Sequence, residues 1–205
     1  MNEETNAALH DSYAADYDNQ MQAYDCHIPE VLFGLCYEFT QPGQTLLDLG
    51  IGSGLSALLF TRAGLNVCGM DFSAAMLEIC RSKGIAGELK QHDLQQIPWP
   101  YPSSRFNHLN CCGVLHFIPD LEGVFSEAER VLQEGGLFAF TTKVAATLET
   151  PEQKYNRQTV GGFEIFSHPS GYLELLLTQH SFKRLKTQKC FVGDDIFKLY
   201  VVRKR

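Results

Sequence analysis

A glycine-rich turn is the feature of this sequence that most directly suggests chemistry. It reads DLGIGSG over residues 48–54 and lies between a predicted strand and a predicted helix. Glycines in such a turn let the backbone approach a ligand closely and direct free N–H groups at it. Several classes of nucleotide-dependent enzyme use a turn of this kind, so the turn alone leaves the ligand open.

Two details of the turn favour S-adenosylmethionine over a dinucleotide. Leu55 occupies the position of the third glycine in the dinucleotide pattern G-x-G-x-x-G. Asp48 precedes the first glycine, at a place where a carboxylate would repel a pyrophosphate and attract a cation. S-adenosylmethionine carries an ammonium and a sulfonium and no phosphate. We therefore predict that this turn binds that cofactor, with a nicotinamide-dependent oxidoreductase as the alternative.

Two further carboxylates follow predicted strands. Asp71 ends the second strand, roughly 20 residues after Gly50, where an acid can accept hydrogen bonds from the ribose hydroxyls. Capping the following helix is the alternative role for Asp71. Asp93 follows the third strand, where it could accept the adenine amino group or cap a loop. The two acids and the glycine turn thus predict a nucleoside site at one edge of a sheet.

Candidates for the chemical step are fewer. Methyl transfer is a displacement at an activated methyl group, so the enzyme mainly supplies proximity and alignment, and a base is needed only if the acceptor must lose a proton. His116, just after the fourth strand, and His168, in a polar segment, are the candidate catalytic residues, each with a structural role as the alternative. Tyr13, Tyr17 and Trp99 are candidate pocket walls, although the proline-rich surroundings of Trp99 favour a rigid surface loop.

The elements that must position these residues follow an α/β rhythm, which predicts a doubly wound, mostly parallel sheet. Residues 1–40 are predicted to form an N-terminal helical cap segment, and residues 41–205 one domain with a polar insertion or lid at about 143–168. A short link at 193–195 predicts an antiparallel terminal hairpin. Strands are predicted at 45–49, 65–70, 85–91, 106–112, 137–142, 182–191 and 196–202, and helices at 53–63, 74–83, 121–133 (closed by the glycines at 135 and 136) and 170–179.

Charge and composition exclude several classes of protein. The chain of 205 residues has 17 Lys and Arg against 24 Asp and Glu, and its net charge of −7 argues against nucleic acid as a partner. No apolar run is long enough to span a membrane, and the polar start differs from a signal peptide. Seven cysteines without C-x-x-C spacing indicate free thiols and no metal site. We expect a cytoplasmic monomer or homodimer.

Five segments, in this order along the chain, resemble one known family. They are residues 46–54, 67–73, 91–98, 114–117 and 130–136. Together they resemble the class I S-adenosylmethionine-dependent methyltransferases, most closely the small-molecule group related to the ubiquinone-biosynthesis enzymes. The resemblance implies a Rossmann-like, seven-stranded sheet with an antiparallel last strand. It also implies methyl transfer to a small organic acceptor, leaving S-adenosylhomocysteine.

The resemblance also implies which residues contact the cofactor. An opening like residues 13–18 is frequent in that group and is implied to fold over the ligand. A silent binding module that retains the cofactor site without turnover stays open as an alternative. The expected cofactor contacts are Tyr17, Asp48, Gly50, Gly52, Gly54, Leu55, Asp71, Phe72, Met76, Asp93, Leu94 and Cys112.

Overall fold

The strands form a central sheet, as the alternation of apolar and helical segments predicts. The computed structural model describes residues 11, 14–144 and 153–205. The strands of the sheet are β1 (Thr45–Leu49), β2 (Asn66–Asp71), β3 (Glu88–Gln91), β4 (Phe106–Cys111), β5 (Leu132–Lys143), β8 (Phe182–Val192) and β9 (Asp195–Lys204). Their order is β3-β2-β1-β4-β5-β9-β8, a seven-stranded sheet. The predicted Rossmann-like fold is therefore confirmed.

Strand directions also agree with the prediction. Strands β1 to β5 pair in parallel, and β9 runs antiparallel to both β5 and β8. The turn at 193–195 joins β8 to β9 as the expected terminal hairpin. The carboxyl ends of β1 to β4 consequently share one edge of the sheet, and the order reverses between β1 and β4.

Helices pack on the two faces of the sheet. They are α1 (Tyr17–Ala23), α2 (Ile28–Cys36), α3 (Leu55–Arg62), α4 (Ala74–Ser82), α5 (Glu122–Val131) and α6 (Ser170–Gln179), with 3-10 turns at Tyr37–Phe39 and Leu115–Phe117. Ser73 caps α4, because its hydroxyl accepts the Met76 N–H at 3.1 Å.

Two hydrophobic cores lie on opposite faces of the sheet, because successive strand residues point to opposite sides. In β1, Leu46 enters the core under α2, α3 and α4, whereas Leu47 and Leu49 enter the core under α5 and α6. Cys111 and Cys112 divide between the same two cores, as expected for neighbours at a strand end. All seven cysteines are free thiols.

Two predictions about local structure were wrong. Helix α5 ends at Val131 and β5 begins at once, so Gly135 and Gly136 lie inside a strand whose pairing with β4 shifts register at this point. Trp99 is buried in the core, where its indole N–H donates to the Leu94 carbonyl at 3.0 Å. It forms neither a surface loop nor a pocket wall.

The polar segment is in part a hairpin. Strands β6 (Asn156–Val160) and β7 (Phe163–Ser167) pair with each other, and Phe163 packs on Phe117 with ring centroids 5.8 Å apart. Residues 145–152 of this segment, and Tyr13 among the predicted pocket walls, lie outside the described residues. Within the described ranges, no helix is long and apolar enough to cross a membrane.

Candidate active site

A cavity of about 700 Å³ opens at the carboxyl ends of β1 and β4, where ligands bind in doubly wound folds. We call residues 48–56, 71–76 and 92–95 its strand-end side, and residues 21–30, 112–118 and 192–197 its outer side. The lining includes every predicted cofactor contact except Gly54, namely Tyr17, Asp48, Gly50, Gly52, Leu55, Asp71, Phe72, Met76, Asp93, Leu94 and Cys112.

The glycine turn is shaped by left-handed backbone. Gly50 and Gly52 have φ of 68° and 54°, values that L side chains rarely adopt. The Gly50 N–H donates to the Met70 carbonyl at 2.8 Å, which ties the turn to β2. A Cβ at Gly50 would meet Val114 at 2.5 Å, whereas a Cβ at Gly52 would meet nothing within 4 Å. Gly52 therefore faces open space in which a ligand can approach the backbone.

Gly54 has a different role from the one predicted. It is absent from the cavity lining, and a Cβ there would meet Ile85 at 2.7 Å and Cys80 at 3.1 Å. Its carbonyl accepts the Leu58 N–H at 2.9 Å, which begins α3. Gly54 thus allows the turn to enter the helix and lies outside the cavity lining.

Asp71 joins two pieces of backbone at the strand-end side. One carboxylate oxygen accepts the Gly52 N–H at 2.8 Å, and the other accepts the Ser73 N–H at 2.9 Å. The side chain is 7% exposed, so burial raises its pKa, while these two N–H groups oppose the rise. Each oxygen retains a lone pair, and the ribose role of Asp71 stays a prediction alongside the turn-stabilising role now seen.

Asp48 is the most deeply placed acid of the cavity. It is 1% exposed, and its Oδ2 has no hydrogen-bond partner among the described residues. Burial raises the pKa of this carboxyl to about 8, with Asp71 adding to the rise and a hydrogen bond from Asn110 opposing it. A carboxylate that is buried at a cavity wall loses its hydration, and a cationic ligand group would compensate for that loss. The position of Asp48 is therefore suited to a cationic ligand group.

Asp93 is half-buried at the end of β3. Its Oδ1 accepts the Gln95 N–H at 2.9 Å, so the loop-capping role is present. Asp93 and the buried Leu94 both line the cavity next to His92. The position agrees with the adenine role, which remains a prediction.

Helix α1 is fastened over the glycine turn by polar contacts. The Ser53 hydroxyl donates to Asp18 at 2.5 Å, and the Lys83 ammonium donates to the Ser53 carbonyl at 2.9 Å and also to Asp18. We call this the Asp18–Ser53–Lys83 contact. The neighbouring Tyr17 points its phenol into the cavity, where burial raises its pKa. Helix α1 therefore lies against the glycine turn, and its folding over the cofactor stays a prediction.

The two candidate histidines separate in the structure. His116, on the 3-10 turn Leu115–Phe117, lines the outer side with its ring 4.1 Å from Phe117 and 5.5 Å from Phe197. His168 is 3% exposed and absent from the lining; its Nε2 lies 3.0 Å from the Ile118 carbonyl. Burial lowers the pKa of His168 to about 4. The expectation that His168 contacts an acceptor is not met by this position, and its ring instead ties β7 to the loop behind His116.

Most residues of the outer side were not among the site residues predicted from the sequence. Its residues come from the α1–α2 junction and the β8–β9 hairpin, two segments without a recognisable motif. Only the folded sheet brings them together, because β9 is inserted beside β5 and next to α2. The lining residues that were missed here are Met21, Gln22, Asp25, Cys26, His27, Ile28, Pro29, Glu30, Val192, Asp195 and Phe197.

Comparison with known proteins identifies relatives of this chain. Residues 47–140 match a family model described as a methyltransferase domain. A malonyl-[acyl-carrier protein] O-methyltransferase from Serratia marcescens is 28% identical over 73% of this chain and 56% of its own length. A sterol 24-C-methyltransferase from Pneumocystis carinii is 32% identical over 60% of this chain and 34% of its own length.

Solved structures share the fold at low identity. The Burkholderia thailandensis 1,6-didemethyltoxoflavin-N1-methyltransferase, solved with 1,6-didemethyltoxoflavin and S-adenosylhomocysteine, superposes with a TM-score of 0.72 at 16% identity. The match covers 98% of this chain and 89% of that one. The chain spans about half or less of the length of the first curated relatives it matches.

Proposed function

We propose that this chain, whose residues 47–140 match the methyltransferase-domain model, binds S-adenosylmethionine and transfers the methyl group to a small organic acceptor. The observation that carries the proposal is the strand-end side of the cavity. There the buried Asp48 carboxyl, whose Oδ2 has no hydrogen-bond partner among the described residues, lies beside glycine backbone that faces open space. This combination suits a ligand that brings a cation and no phosphate.

The residues present fit that cofactor. Asp48 would accept its ammonium, Asp71 its ribose hydroxyls and Asp93 its adenine amino group, with Leu55, Phe72, Met76 and Leu94 as apolar contacts. Bound S-adenosylmethionine supplies an activated methyl group on a sulfonium. What this chain supplies is alignment and exclusion of water, which account for much of the rate of such a displacement.

The acceptor would lie on the outer side. His116, Phe117 and Phe197 form an aromatic wall there, and Tyr17 with Met21 closes it from the α1 side. His116 is the residue we assign to proton removal where the acceptor requires it. The relatives act on different atoms, as their names show: an oxygen, a carbon and a nitrogen. Likeness alone therefore leaves the acceptor open.

Calorimetric titration tests the cofactor. We expect S-adenosylmethionine and S-adenosylhomocysteine to bind in roughly the micromolar range, and NAD to give no heat. Binding of NAD without S-adenosylhomocysteine would assign the chain to the oxidoreductases instead. Replacing Gly52 by Val, which fills the open space at a left-handed position, should abolish binding; Gly34→Val, at a helix position away from the cavity, is the matched control.

A further inference from the structure

The loop that follows the aromatic wall is held from outside the cavity. His116 and Phe117 lie on a 3-10 turn and line the cavity, and residues 118–121 lead from that turn to α5. The loop belongs to no strand or helix, so the sheet provides no partners for its backbone groups. Two of its residues, Ile118 and Leu121, are nevertheless buried. Buried backbone N–H and C=O groups need hydrogen-bond partners, and side chains of two other segments provide them here.

His168 provides one set of contacts. It follows β7 and is buried, and its Nε2 lies 3.0 Å from the Ile118 carbonyl oxygen and 3.3 Å from that of Pro119. A carbonyl oxygen only accepts hydrogen bonds, so Nε2 carries the proton and donates. Phe163 of β7 packs on Phe117 with ring centroids 5.8 Å apart. The polar insertion therefore contacts both the turn and the loop, although neither His168 nor Phe163 lines the cavity.

Tyr172 provides a second set of contacts from α6. It is buried, and its hydroxyl accepts the Leu121 N–H at 3.1 Å and donates to Oδ1 of Asp120 at 2.8 Å. The same carboxylate oxygen accepts the Glu122 N–H at 3.1 Å, where α5 begins. The other oxygen of Asp120 is paired with Lys154 at 2.5 Å, but both side chains are half-exposed, so that pair contributes little. One buried hydroxyl thus joins α6 to the loop and to the start of α5.

We propose that His168 and Tyr172 are positioning residues of the acceptor side, which hold the turn of His116 where it packs on Phe197. This inference rests on the proposed function, which places the acceptor at the aromatic wall. In the described part of the chain, the hydrogen bonds of His168 and Tyr172 go to the loop at 118–121 and to no residue of the strand-end side. The two residues should therefore act on the acceptor side alone and leave cofactor binding unchanged.

Position is what such residues can contribute to this reaction. Methyl transfer depends on alignment, and a displacement of about 1 Å at a reacting group can slow a reaction about 100-fold. The turn that carries His116 is closed by the bond from the Phe117 N–H to the Val114 carbonyl at 2.9 Å, which does not fix its place relative to β9. The side chains that hold the following loop do. Their removal should let the turn move while the sheet stays folded.

Nuclear Overhauser contacts between aromatic rings test the inference without turnover. In the protein saturated with S-adenosylhomocysteine, His116 and Phe197 should show a ring-to-ring contact, because their centroids are 5.5 Å apart. Tyr172→Phe keeps the ring but leaves the buried N–H of the loop without a partner. The loop should therefore shift, the ring-to-ring contact should be lost and the His116 ring resonances should change. Tyr101→Phe is the matched control, since it removes a buried phenol bond to the Gly69 carbonyl on β2.

Asp120 allows a conservative substitution to be compared with a disruptive one. Asp120→Asn keeps an oxygen that can accept from the Tyr172 hydroxyl, so the ring-to-ring contact should persist even though the pair with Lys154 is lost. Asp120→Ala removes that acceptor, so the contact should be lost. In all of these variants, calorimetry should show S-adenosylhomocysteine affinity within about twofold of wild type.

The outcomes separate a positioning role from a structural one and from failure of the proposed function. If Tyr172→Phe and Tyr101→Phe lose thermal stability alike while the ring-to-ring contact persists in both, Tyr172 has a structural role only and the inference is overturned. A contact that is lost equally in Tyr101→Phe, or that is absent from wild type, overturns it as well. If Tyr172→Phe does not fold, His168→Asn, which removes the bonds to the loop carbonyls, is the test variant and the same results apply. Failure of wild type to bind S-adenosylhomocysteine in calorimetry overturns the proposed function, and with it the acceptor role of the aromatic wall.

Discussion

The two sides of the cavity are constructed differently. On the strand-end side, backbone groups hold the acids, as when Asp71 accepts N–H groups from both Gly52 and Ser73. On the outer side, side chains from distant segments meet, as when the half-buried His116 packs on the buried Phe197 of β9. The strand-end side holds its acids in fixed positions through the backbone. On the outer side, residues can be replaced without disturbing the parallel strands of the sheet.

The largest effect should come from Asp71→Ala. The substitution removes two hydrogen bonds of the turn and the proposed ribose contact, and each bond to a charged group contributes about 1.5–3 kcal/mol. Calorimetry should show S-adenosylhomocysteine binding weakened by about 100-fold or more. Asp120→Ala, outside the cavity, is the control. A loss of affinity below about threefold would mean that ligand binding depends less on Asp71 than its contacts indicate.

Asp48→Asn should weaken cofactor binding about tenfold at pH 8.5, where the wild-type carboxyl is ionised. Because its pKa is raised to about 8, wild-type affinity should rise between about pH 6.5 and 8.5, and binding below pH 8 should release a proton. The charged neighbour that acts on it is Asp71. Titration in buffers of different ionisation enthalpy measures this release. The same pH dependence in Asp48→Asn would assign it to another group.

The same substitution should stabilise the free protein at alkaline pH. The native state holds a proton on Asp48 between its ordinary pKa of 3.8 and about 8, whereas the unfolded chain does not. Stability contributed by this group is therefore complete below pH 3.8 and is lost as pH rises to about 8. At pH 8.5, urea unfolding should show Asp48→Asn more stable than wild type by more than about 1 kcal/mol. Equal stabilities at pH 4 and pH 8.5 would contradict the raised pKa.

The acids of the strand-end side show which part of the site could be predicted from the sequence. Spacing around the glycine turn located Asp48, Asp71 and Asp93 at successive strand ends, because a βα turn and its strands are local and repeat a fixed geometry. It could not separate Gly50 and Gly52, which reach the cavity, from Gly54, which packs against Ile85 and Cys80. That distinction depends on what lies behind the turn, and only the folded core supplies it.

The outer side was harder to predict for a different reason. Glu30 and Asp195 are far apart in sequence and lie in no motif, yet both line one cavity. His116 and His168 looked equivalent in the sequence, and only the folded structure places one at the wall and the other behind it. Residue type can suggest chemistry, but long-range packing decides which side chains reach the ligand.

A smaller effect is expected from Asp18→Asn. It weakens the Asp18–Ser53–Lys83 contact, whose Asp18 and Lys83 side chains are 39% and 30% exposed, so its contribution is modest. Stopped-flow displacement should show S-adenosylhomocysteine leaving about fivefold faster, with thermal stability nearly unchanged. Asp16→Asn, two residues earlier and outside the lining, serves as the comparison. An unchanged dissociation rate would mean that α1 does not hold the ligand in place.

The smallest effect on ligand binding should come from His168→Asn. Its ring bonds to the Ile118 carbonyl and is remote from the lining, so cofactor affinity should stay within about twofold of wild type. The free energy of unfolding should fall by about 1–2 kcal/mol, since a buried hydrogen bond is lost. Because the pKa of His168 is lowered to about 4, wild type should lose stability as pH falls from 6.5 to 4. A large fall in affinity would return His168 to the active site.

The fastening of α1 has a consequence for ligand exchange. The helix is seven residues long and none of them is fully buried, although Tyr17 and Met21 are half-buried at the cavity, so its attachment depends largely on charge and hydrogen bonding. Ionic strength weakens such partly exposed contacts, whereas it leaves the apolar cores intact. Salt concentration should therefore control how fast ligands enter and leave while the rest of the molecule stays folded.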